Sequence, residues 1–184
     1  AYLWRSPRRK LEARAVRDAS LAVSGLLDGA MYGPAFREFV LERPEHSPHY
    51  EYELMSPDDP SIRRRSIYRF LVRSRLQPFM TVLDCADPSM QVDRRGESVS
   101  PLQALALYNN GLMLTAAKAL AGRSEAEAGP GAGLRPQVDR AFALALGREP
   151  SAEERDALES LAAEHGLASA CRVILNMNEF VFVD

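Results

Sequence analysis

Apolar and polar positions alternate along this chain in several distinct rhythms. Behind Ser6-Pro7, Leu11, Ala15, Ala19, Ala22 and Leu26 recur at helical spacing. Serine accepts orphan amide bonds at a helix start, and proline fits the first turn. The stripe is narrow and made of small residues, which suits close approach to another helix. Gly25 and Gly29 supply the stop. From Leu27 to Pro60 the rhythm dissolves, with Gly33-Pro34, Pro44, Pro48, Pro57 and Pro60 as punctuation. A connection that long, carrying short elements at best, is commonly functional or pinned down by side-chain pairs.

Ser61 to Leu76, SIRRRSIYRFLVRSRL, fits two periods. As a helix it puts Ile67, Phe70 and Leu71 on one face and Arg65, Arg69 and Arg73 on the other. As a strand it leaves neither face clean, so the pattern favours a helix over 62–76. Pro78-Phe79-Met80 begins a shorter helical turn reaching Leu83. Ser100-Pro101-Leu102-Gln103 is a strong start signal, with Gln103 placed to close a capping box. Leu102, Leu105 and Ala106 are then expected to face inward. Asn109-Asn110-Gly111 interrupts the run, and a second helix is expected from Leu112 to near Gly122.

Three compact helices follow the small-residue stretch GRSEAEAGPGAGLRP. Val138, Phe142 and Leu146 mark the first, stopped by Gly147. Ser151 to Glu154 forms a second capping box before a helix with Leu158 and Leu161 inward. Ala168 to Asn178 is the third, ahead of an extended FVFVD tail. These elements predict a mainly α fold: an irregular helical domain with a long loop in its N-terminal half and a C-terminal three-helix unit. The expected organisation is a helical core over 1–121 with its loop at 27–60, a linker at 122–136 and a helical subdomain at 137–184. Together they read as one family domain taken from a longer protein.

Composition adds limits. The 184 residues, 46% hydrophobic and 26% charged, are those of an ordinary folded domain able to bury a real core. A formal net charge of −2 gives no global pull toward nucleic acid. No apolar run approaches the ~20 residues of a membrane span. Lysine occurs only at positions 10 and 118, so positive charge is almost all guanidinium, suited to bidentate carboxylate pairs. Arginine-rich and acid-rich blocks alternate, and such blocks more often pair within a fold than recruit a partner. Cys85 and Cys171 form no framework; two apolar thiols are the expectation, with a single disulfide as the alternative. CxxCH is absent, so haem c is not encoded here, and zinc or redox CxxC pairs are also missing. The chain opens AYLWRSPRRK, with no signal peptide, and reads as a piece of something longer.

Two stretches carry candidate chemistry. Glu45-His46-Ser47-Pro48-His49-Tyr50-Glu51 brings two imidazoles and two carboxylates together, the best metal candidate in the chain. Helical metal pairs need histidines four apart, and Pro48 argues against a helix, so surface histidines held by nearby acids are favoured. Asp84 to Asn110 is the other. Asp84 and Asp87 suit acid–base work or a hard cation, with Arg94 and Arg95 as counter-charge. Yet Asp87 precedes Pro88, a turn signal, and carboxylates beside arginines are poor general acids. His46, His49, Asp84, Asp87, Arg94 and Arg95 are the candidate ligand-binding set; no catalytic residue and no metal set is assigned. Cys85 has no histidine near it in sequence, and phosphate-loop and dinucleotide fingerprints are absent.

RRRSIYRFLVRS, QPFMTVLDCADPS, the RR…SPLQALALYNN run, AFALALGREPSAEE and LNMNEFVFVD occur in this order. In these motifs the chain resembles the planctomycete-specific domain one family, bacterial domains of unknown function, from about Leu3 to Asp184. EHSPHYEYEL is similar to one subgroup of it, and the alanine–glycine stretch after Gly122 is the departure. The resemblance implies the C-terminal part of a large exported protein, periplasmic or extracellular, often behind c-type cytochrome domains. It implies haem c in the parent rather than in this chain, and preceding domains or another envelope protein as partners. It transfers no catalytic residue. Two functions are therefore carried: a non-catalytic interaction or structural module, which the capping and packing signals favour, and part of a metal-dependent hydrolase or carbohydrate-active enzyme completed by a neighbouring domain.

Overall fold

The computed structural model describes residues 9–43, 47–87, 89–91, 96 and 98–183. It is mainly α, with eight helices and two small two-stranded sheets among the described residues. In chain order these are β1 (Arg9–Lys10), α1 (Ala13–Val23), β2 (Val40–Glu42), β3 (His49–Glu51), α2 (Pro78–Val82), α3 (Pro101–Asn109), α4 (Gly111–Ala128), α5 (Leu134–Leu146), α6 (Ala152–His165), α7 (Leu167–Ile174), α8 (Asn178–Val181) and β4 (Phe182–Val183). No described helix is long and apolar enough to cross a membrane.

Helix α4 is the centre of packing. Its Met113, Ala116, Ala117 and Leu120 are buried and meet α5, α7 and α1. The cluster continues through Phe142 of α5, Leu158 of α6 and Ile174 of α7. Small residues on α4 let its neighbours approach closely, and the branched side chains opposite fill the space. Helix α6 starts with the expected capping box: the Ser151 hydroxyl accepts the Glu154 amide at 3.2 Å, and Glu154 accepts the Ser151 amide at 2.8 Å. Helix α5 stops at Gly147, whose φ of 71° is left-handed and costs glycine nothing. The C-terminal expectation is corrected in part: the helix expected over 168–178 ends at Ile174, Phe180 and Val181 of the expected extended tail lie in α8, and only Phe182–Val183 run extended, closing back on the start of the described chain. β4 pairs antiparallel with β1, Phe182 opposite Lys10, and the Leu11 amide reaches the Val181 carbonyl at 2.7 Å.

Further sequence expectations are corrected. Residues 62–76 are not a helix. They run extended beside the long loop, bridging Asp28 with Arg64 and Phe36 with Arg69, with short 3-10 turns at Pro60–Ile62 and Ser66–Tyr68. The faces invert accordingly: Ile67 is 73% exposed and Arg69 only 7%. In α1 the buried face is Ala13, Val16, Arg17, Ser20 and Leu21, whereas Ala15 and Ala22 face solvent. Ser6-Pro7 lie outside the described residues, but the helix expected from them does not run on through Arg9 and Lys10, which are strand β1; α1 begins only at Ala13, with Glu12 before it as N-cap. In α3 the expected inward Leu102 and Leu105 are exposed, and Gln103 and Leu107 are buried instead. Finally, the helix expected to fade near Gly122 continues to Ala128, and α5 begins at Leu134. Alanine-rich sequence with glutamates is good helix material, and one internal glycine does not stop it. Cys85 and Cys171 are not bonded to each other, and burial pushes the Cys171 thiol up to about 12.

The loop 27–60 carries the hairpin β2–β3, in which Val40 faces Glu51, Leu41 faces Tyr50 and Glu42 faces His49. Phe39 anchors it, its ring edge-on to Tyr50 at 5.1 Å and to Tyr52 at 5.6 Å.

Candidate functional site

Three polar assemblies stand out, the first two built across elements distant in sequence and the third on a single hairpin. The first pins the long loop. Arg17, on the buried face of α1, donates from Nε to Glu38 Oε1 at 2.9 Å and from Nη1 to the Arg64 carbonyl at 2.9 Å. Its Nη2 reaches the Ile62 carbonyl. Arg69 Nε donates to the second oxygen of Glu38 at 2.5 Å. Asp18 completes the clamp by accepting the Ser66 amide and hydroxyl at 2.9 and 2.7 Å. Burial lowers the proton affinity of Arg17, and Glu38 opposes that shift. Next to the clamp lies a cleft of about 250 Å³, with Arg17, Glu38, Tyr52, Gln77, Phe79 and Asn110 in its walls. Every charged wall residue named here has a partner, so the cleft offers shape more than reactivity.

The second assembly surrounds Asp84, just beyond α2. Its backbone is left-handed (φ 63°), and its carboxylate meets four donor groups from three residues. Lys10 Nζ donates at 2.8 Å, the Ser98 amide and hydroxyl each at 2.8 Å, and Gln103 Nε2 at 3.0 Å. Lys10 also donates to Gln103 Oε1 at 2.9 Å. Burial works against ionisation of Asp84, but those hydrogen bonds outweigh it and hold the carboxyl at about 2. A carboxylate that stays charged across the physiological range cannot act as a general acid. Gln103, expected to close a capping box, spends its side chain here. Ser100 alone caps α3, accepting the Gln103 amide at 3.3 Å.

The third assembly lies on the hairpin. Glu42 on β2 and His49 on β3 are directly paired, and Glu51 is two residues further along the same face. One ligand atom from each lies within 4.8 Å of the others. Arg75 donates from Nη1 to Glu51 Oε1 at 2.7 Å and from Nη2 to Glu53 at 3.3 Å. An open hollow of about 480 Å³ adjoins, lined by His49, Glu51, Ser74 and Arg75 among others.

Of the six sequence candidates, His49 lies in the hairpin assembly and Asp84 in its own; the two assemblies share no residue. Asp87 caps a turn, accepting the Ser89 amide at 2.8 Å. His46, Arg94 and Arg95 lie outside the described residues. Sequence reasoning passed over Glu42 and Arg75 at the hairpin, and Lys10 and Gln103 around Asp84. Glu42 was within reach: reading 40–51 as a hairpin pairs it with His49. Lys10 is 74 positions from Asp84, and no local pattern joins them.

Comparison with known proteins adds a family. The family model described as PSD1: Protein of unknown function (DUF1553) matches residues 1–162. No curated protein and no solved structure matches the chain.

Proposed function

The chain belongs to the PSD1 family, and from that premise we propose that it is a non-catalytic interaction module that docks a preceding domain of a larger exported bacterial protein. One observation carries this reading. Helix α3 turns its polar Gln103 inward beside Leu107 and leaves its other two leucines outward: Leu102 is 59% and Leu105 57% exposed, beside Val99 at 77%. Large apolar side chains clustered on one exposed helix face mark an interaction surface more often than scattered ones do. The charged groups support the same reading, because the acids of the first two assemblies are engaged by arginine, lysine or backbone donors. The parent is read as a planctomycete protein of the cell envelope with a c-type haem module elsewhere in its length; haem staining of the full-length protein tests that part.

The docking reading is tested by the double variant Leu102→Lys, Leu105→Lys. Both positions are exposed, so unfolding should shift by no more than about 0.5 kcal/mol. Binding to the separately produced preceding segment of the parent, measured by calorimetry, should weaken at least tenfold. Equal affinity of variant and wild type would overturn the proposal.

A further inference from the structure

We propose that Glu42, His49 and Glu51 form a binding site for a single divalent transition-metal ion of the zinc class. The argument begins with backbone placement. The register of β2 and β3 sets Glu42 opposite His49, and strand alternation returns Glu51 to the face of His49. All three ligands therefore ride on one hairpin, itself anchored by the Phe39 ring contacts. A tetrahedral ion about 2.1 Å from each ligand sets the ligands about 3.4 Å apart. Theirs lie within 4.8 Å of one another, close to that spacing before any ion is bound.

Arg75 adds what a bare cluster of acids lacks. It holds one oxygen of Glu51 and at the same time bonds Glu53, which fixes the Glu51 carboxylate while leaving its other oxygen for an ion. Outer partners of this kind orient ligands in metal sites. The donor set decides the ion. One imidazole nitrogen and two carboxylates suit zinc and its neighbours, whereas calcium wants six to eight oxygens and magnesium an octahedron of them. Three protein ligands leave a fourth position, and the adjoining hollow of about 480 Å³ gives water or a partner's group room to take it.

The test is calorimetric titration of Zn²⁺ into the metal-stripped chain. One saturable equivalent is expected, with Glu42→Gln and His49→Ala each weakening it at least tenfold. His165→Ala, on the distant α6, should leave it unchanged. The Leu102→Lys, Leu105→Lys variant should bind zinc normally, which separates this site from the docking surface. Circular dichroism checks that the variants keep their helices. Absence of a saturable equivalent, wild-type affinity in His49→Ala, loss in His165→Ala, or equal affinity for Mg²⁺ and Zn²⁺ would each overturn the assignment.

Discussion

Asp84 combines a left-handed backbone with a carboxylate held by several donors. Strain at a non-glycine residue persists only where surrounding contacts over-determine it. Here the surroundings are Lys10 from the start of the described chain, Ser98 from the approach to α3 and Gln103 from α3 itself. The residue is a junction. Its folded-state carboxyl at about 2 lies below the ordinary 3.8, so its contribution is complete above about pH 4 and is lost as pH falls toward 2. A shift of that size corresponds to about 2 kcal/mol. Asp84→Asn removes the charge, and asparagine still tolerates the left-handed backbone. Urea unfolding should therefore show the variant less stable by about 1–2 kcal/mol at pH 7. That gap should close between pH 4 and pH 2. A gap of the same size at both ends of the range would mean that shape, not charge, is what Asp84 contributes.

Helices in this chain divide into those whose apolar face is their buried face and those where it is not. Helices α5 and α6 belong to the first kind, and Val138, Phe142, Leu158 and the Ser151–Glu154 box were all legible in the sequence. Helices α1 and α3 belong to the second. Their inner faces carry Arg17, Ser20 and Gln103, which hydrophobic periodicity counts as surface. What makes those residues internal is a partner far away in the chain: Glu38 for Arg17, and Lys10 with Asp84 for Gln103. The same blindness explains why 62–76 looked helical, since Arg69 is buried only because Glu38 comes to meet it. The candidate site was legible to the same extent: His49 and Asp84 stood out by residue type, while the residues that complete their surroundings did not. Arg17 is then the residue on which the loop depends. Arg17→Met keeps length and apolar stem but leaves Glu38 short of a donor and the Ile62 and Arg64 carbonyls without theirs. Breaking a buried pair in this way costs about 3–5 kcal/mol. Lysine in its place should rescue little, because one ammonium cannot serve three separated acceptors in the plane of a guanidinium. Thermal unfolding of the two variants checks this, and full stability in Arg17→Lys would show that charge alone suffices.

At the scale of the whole molecule, the question is whether the two halves melt together. The composition of 122–136 predicts a linker between a core at 1–121 and a subdomain at 137–184. The structure places helix across most of that stretch, and α4 packs its apolar side chains against both α1 and the pair α5 and α7. The C-terminal strand β4 pairs with β1, so residues 182–183 lie beside residues 9–10. Phe180 and Val181, just before it, belong to the same core cluster as Val16 and Phe79. Cooperativity follows from shared burial: where one helix supplies the core of both halves, neither half can expose its surface without unfolding the other. A single calorimetric transition is therefore expected, with the calorimetric and van't Hoff enthalpies equal. A fragment of residues 137–184 would lack α4, against which α5 and α7, the helices carrying Phe142, Cys171 and Ile174, are packed. Burial of such side chains is worth roughly 1.5–3 kcal/mol each for the larger ones, a sum no fragment of that size replaces from within. Its circular dichroism should show largely unfolded chain at 25 °C, and adding a fragment of residues 1–136 should restore helix. Two separate transitions, or a fragment that is helical alone, would place a true domain boundary in the alanine–glycine stretch.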